Sequence, residues 1–95
     1  MRRSAIVSHL EFAEEHSRPV FPETFAQAEA VQKLTSLLRF ASQPGSGPAV
    51  DMRALRAAVA ELESQFPGEV VQGYDNHVAL LHALAARLLE NPSLE

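Results

Sequence analysis

The stretch Asp51–Phe66, DMRALRAAVAELESQF, decides the fold. Met52, Leu55, Val59, Leu62 and Phe66 recur at spacings of three and four, so on a helix they share one face. Arg53, Arg56 and Glu61 fall opposite, with Glu63 at the side. Asp51 is placed to accept from the free amides of the first turn, and Pro67-Gly68 stops the helix. A helix with one apolar face must bury it against other elements, and the flanking sequence supplies three further helical patterns.

Downstream, residues 75–90 carry Val78, Leu80, Leu81, Leu84, Leu88 and Leu89, which cover about half of a helix's circumference. A helix on the surface of a bundle needs less, so this one is expected to be central or shared between subunits. Upstream, residues 22–42 repeat Val31, Leu34, Leu38 and Ala41 along one stripe, with Ala30 and Leu37 alongside. Pro22 suits the first helical position, and Thr24 with Gln27 is an alternative capping box. Residues 4–16 place Ile6, Leu10 and Ala13 on one side, widened by Ala5 and Phe12, with Glu11, Glu14 and Glu15 facing away. Ser8 with Glu11 is a capping box that would start this helix later.

Proline and glycine separate the four patterns. Gln43-Pro44-Gly45-Ser46-Gly47-Pro48 lies within an expected flexible loop over 43–50, and Glu69–Tyr74 reads as briefly extended at most. The expected fold is all-α, a single domain over 1–95 forming a small antiparallel four-helix bundle. Three core helices with a peripheral N-terminal helix is the alternative. Leu34, Leu38, Leu55, Leu62, Leu81 and Leu84 are the expected core.

The chain has 95 residues, and 15 of its 44 apolar residues are alanine. The core is therefore thin, and self-association is one way to bury more surface. A net charge of −4 argues against nucleic acid as a partner. Cysteine is absent, which removes thiolate metal sites, disulfides and thiol catalysis. No apolar run is long enough for a membrane span. Ser8, His9 and Glu11 interrupt any signal-like segment. Abundant Ala, Leu and Arg fit a bacterial protein, and the expected compartment is the cytoplasm. Leu94-Glu95 reads equally as native sequence or as a cloning scar, and is set aside.

Four histidines invite a ligand or metal reading. His9 and His16 are expected on the apolar side of the first helix, His77 near the middle of the last helix's apolar face, and His82 at that face's edge. His9 and His16 stand about 10 Å apart along a helix, too far for one ion, and His77 and His82 diverge around theirs. No metal or cofactor is therefore expected, and half-buried histidines hydrogen-bonded to neighbours are the simpler account. His82-Ala83-Leu84 resembles the phosphoacceptor helix of histidine phosphotransfer domains over about six residues. That resemblance implies His82 as phosphoacceptor, but Ala85 and Ala86 stand where the family carries Lys and Gly. Gly45-Ser46-Gly47 lacks the Gly-Lys of a phosphate loop, and no serine sits in a nucleophile elbow, so no enzyme is expected.

Phe25 and Phe40 fall outside the main stripe of the second helix, on the side of Glu29, Lys33 and Ser36. Either each phenylalanine meets a loop, Phe25 near Phe21 and Phe40 near Pro44, or the five residues form a partner surface. The leading expectation is a non-enzymatic protein-interaction module of adaptor, regulatory, antitoxin or immunity type, binding a protein partner or itself as a homodimer. A small-ligand, metal-binding or phosphotransfer protein using its histidines is the alternative.

Overall fold

The computed structural model describes residues 6–42, 51–68 and 76–90. They form four helices, α1 (Ile6–His16), α2 (Phe25–Ser42), α3 (Met52–Gln65) and α4 (His77–Glu90). Among the described residues there is no strand, only an isolated bridge between Arg18 and Asn76. The expected loop over 43–50, the Glu69–Tyr74 stretch and the Leu94-Glu95 pair lie outside the described residues.

Contacts between helix ends set the direction of the chain. The His77 amide donates to the Arg18 carbonyl at 3.0 Å, which ties the C-terminal end of α1 to the start of α4. Gln27 Nε2 donates to the Gln65 carbonyl at 3.0 Å, which ties the start of α2 to the end of α3. α1 therefore runs antiparallel to α4, and α2 antiparallel to α3. α2 packs against α1, α3 and α4, and α4 likewise packs against the other three. α1 is part of the bundle rather than a peripheral element, because it packs on α2 and α4 and its Leu10 is fully buried.

The core is built from leucine. Leu34, Leu38, Leu55, Leu62 and Leu81 have no exposed surface, and Leu84 is buried with them. Val78, Ala85 and Leu88 complete α4's contribution. Most of the apolar half of α4 is covered inside one chain by the three helices around it, and Leu80 is left half-buried.

The caps explain the helix boundaries. Asp51 Oδ1 accepts from the Arg53 and Ala54 amides at 3.0 and 3.1 Å, as its position before an apolar repeat implies. α2 begins at Phe25, not at Pro22: Thr24 Oγ1 accepts from the Gln27 amide at 3.1 Å, and Gln27 Oε1 accepts from the Glu23 amide at 2.7 Å. A side-chain acceptor at Thr24 outweighs the φ preference of a proline two residues earlier. The Ser8 capping box is not used, because α1 already starts at Ile6 and Ser8 lies within it. α4 starts at His77 behind Asn76, whose fully buried side chain accepts from the Ala79 amide at 2.8 Å.

Candidate functional site

Two leads stand out on the surface of the bundle, and both arise from where small and large apolar residues fall. The first is the outer side of α2. Phe25 is 82% exposed and Phe40 44% exposed, on the side of α2 away from buried Leu34 and Leu38. Between them Glu29 and Lys33 line a groove of about 570 Å³ shared with α3, whose floor is Ala26, Ala30, Ala54, Ala57 and Ala58. Ser36 is exposed on the same side. The structure thus brings Glu29 and Lys33 together on one groove, while Phe25 and Phe40 stand about 22 Å apart along the helix. Phe21 is itself exposed and borders a small recess at the end of the bundle that Phe25 does not line. Pro44, the expected neighbour of Phe40, lies outside the described residues.

The second lead is a groove of about 380 Å³ between α1 and α4. His9, Phe12 and His16 line one wall, and Leu80, Ala83, Leu84 and Arg87 the other. This corrects the expectation for α1. His9 and His16 are exposed, and Phe12, expected to widen the buried stripe, is 58% exposed. α1 packs on α2 and α4, which cover Leu10 and leave the His9–Phe12–His16 side in water. The Phe12 and His16 rings meet at 4.6 Å between centroids, and Glu15 lies 3.6 Å from His16 Nε2.

The α4 histidines have separate environments. His77, the first residue of the helix, is half-buried with its Nδ1 shut off from water. His82 Nε2 lies 2.7 Å from Glu63 Oε2, linking α4 to α3. The Glu63 carboxylate stands where a phosphoryl group approaching that nitrogen would meet negative charge. Among the described residues no three His, Asp or Glu side chains converge on a point that could hold a metal ion. No helix of the described residues is long and apolar enough to cross a membrane.

The sequence signals for these features differ. Phe25 and Phe40 are visible on a helical wheel. The His82–Glu63 contact is not, because it depends on how two helices are aligned. The sequence signal of the α2–α3 groove is its alanines, which spare volume only once the facing helix is known, and the α1–α4 groove, with Ala83 as its one alanine, has no such signal. Comparison with known protein families, with curated proteins and with solved structures finds no match to this chain.

Proposed function

We propose that the chain is a non-enzymatic protein-interaction module that pairs through the outer face of α2, and that a second copy of the chain is the partner. The supporting observation is the division of apolar residues. Every described leucine is buried or half-buried, whereas Phe12, Phe21, Phe25 and Phe40 are exposed and only Phe66 joins the core. Aromatic side chains, phenylalanine among them, are enriched at the centres of protein interfaces, and each left in water forgoes a large burial energy. Two of the four sit on one side of α2, next to an alanine-floored groove that lets a helix approach closely.

The register favours self-pairing. In an antiparallel α2–α2 contact with its two-fold axis between Gln32 and Lys33, Phe25 of one copy falls opposite Phe40 of the other. The same axis puts Glu29 opposite Ser36 and within reach of Lys33 across the pair. A two-fold interface must be self-complementary, and this face is. The alanine-rich composition gives a subunit further reason to bury surface against a copy of itself.

The test is the mass in solution by light scattering over a range of concentrations, for the wild type and for Phe40→Glu and Phe25→Glu. The expected result is a dimer that both substitutions drive to monomer while the far-ultraviolet spectrum stays helical, because burying an unpaired carboxylate is costly. A wild type that remains monomeric at high concentration overturns the reading. So does a Phe40→Glu protein that unfolds, since Phe40 would then be core.

A further inference from the structure

We propose that the groove between α1 and α4 binds a small apolar monoanion: a carboxylate carrying an unbranched or aromatic apolar tail. This site is separate from the α2 pairing face and is built by the other two helices. Its ends are chemically different. α1 and α4 run antiparallel, and the Arg18–Asn76 bridge holds the His16 end of α1 beside the Leu80 end of α4. His9 lies seven residues before His16, and Arg87 seven residues after Leu80, about 10 Å of helix in each case. His9 and Arg87 therefore line the same far end of the groove, with Phe12, Ala83 and Leu84 between that end and His16.

The His9–Arg87 end suits an anion. Arg87 is exposed, and no described carboxylate is ion-paired with it, although the protein carries an excess of acidic residues. Two pairs flank the groove's helices, His16 with Glu15 and His82 with Glu63. The first of these puts a carboxylate at the other end of the groove, so charge favours one ligand orientation. Arginine presents a planar fork that matches a carboxylate with two parallel hydrogen bonds, and His9 adds a ring nitrogen beside it.

The middle suits an apolar tail. Leu80, Ala83 and Leu84 form one wall there, and Phe12 faces them from the other with more than half of its surface in water. A tail laid there would cover Phe12 and Leu80 together. The volume of about 380 Å³ falls in the range of small-molecule sites. Its length of about 10 Å is two helical turns, too short to seat a partner helix.

The experiment titrates octanoate, below its micelle threshold, into the isotopically labelled full chain and follows the proton–carbon signals of Phe12, Ala83 and Leu84. Octylamine and acetate are the matched probes, one with the tail and opposite charge, the other with the charge and no tail. Saturable shifts confined to these residues are expected for octanoate, with neither control reproducing them. Arg87→Gln should weaken octanoate binding by about tenfold or more, the scale of a charge-assisted hydrogen bond. Arg56→Gln, which removes the same charge on exposed α3 surface, should leave binding unchanged. Phe12→Ala should weaken binding by shortening the apolar wall. Octylamine binding as well as octanoate, an unaffected Arg87→Gln protein, or shifts spread over the whole chain would each overturn the proposal.

Discussion

α4 and α2 occupy equivalent places in the bundle, each packed against the other three helices, and they use that position differently. α4 sends Val78, Leu81, Leu84, Ala85 and Leu88 inward and shows no large apolar residue as fully exposed. α2 buries Leu34, Leu38 and Ala41 and leaves Phe25 and Phe40 in water on its far side. Most of the wide apolar face of α4 is covered by helices of the same chain, with Leu80 half-buried at its edge. The informative feature is a large apolar side chain opposite the covered stripe, and α2 has two. The proposed association therefore rests on α2 and not on α4.

The strongest way to break this contrast is to truncate one residue of each kind. Leu81→Ala removes a side chain with no exposed surface and should destabilise the protein by about 2–5 kcal/mol. Phe25→Ala, at 82% exposure, should change the stability of the isolated subunit by less than about 0.5 kcal/mol. Urea unfolding of both at a concentration where the wild type is monomeric reads the difference. Equal losses would mean that the outer side of α2 is covered within the chain.

Much of this contrast is legible in the sequence. Spacing alone puts Leu34, Leu38, Leu55, Leu62, Leu81 and Leu84 inside, and all six are buried. It also puts Phe25 and Phe40 off the stripe. What it misjudges is α1, where His9, Phe12 and His16 lie near the stripe on a wheel. How wide a stripe is covered depends on how many helices meet it, and α1 meets two where α2 and α4 meet three. Local competition is the second source of error. Pro22, Thr24 and Ser8 each carry a start signal, and a wheel cannot rank a φ preference against a side-chain acceptor. Features that need two aligned helices, the His82–Glu63 contact or the groove that His9 and Arg87 both line, have no sequence signature.

A smaller effect sharpens the contrast at the helix starts. Both helices carry a capping side chain, but Asn76 is fully buried and Thr24 is exposed. Asn76→Ala strips the acceptor from the Ala79 amide in a place water does not reach, and also leaves the junction where α1 meets α4. It should cost about 2 kcal/mol, the upper end for a cap, while Thr24→Ala should cost about 0.5–1 kcal/mol because water can replace the hydroxyl. Thermal melts of the two variants, each beside wild type, measure the ranking. A reversed order would place the better-anchored start on α2 and undo the reading of α4 as the buried centre.

The smallest expected effect concerns the flank where α4 reaches the surface against α3. His82 and Glu63 are 2.7 Å apart, with side chains 23% and 51% exposed. Solvent screens a pair this open, and holding a glutamate in one rotamer opposes the attraction. A double-mutant cycle with His82→Ala and Glu63→Ala should therefore give a coupling of only about 0.2–1 kcal/mol. Whatever part of it is Coulombic should shrink further when salt is raised to about 1 M, where the screening length falls to about 3 Å. A coupling above about 2 kcal/mol that ignores salt would mean water is shut out of this contact. The α3–α4 flank would then belong to the interior, and α4 would be buried on a broader arc than its leucines occupy. The difference between the two central helices would rest less on which apolar residues they carry than on how tightly their polar edges are closed.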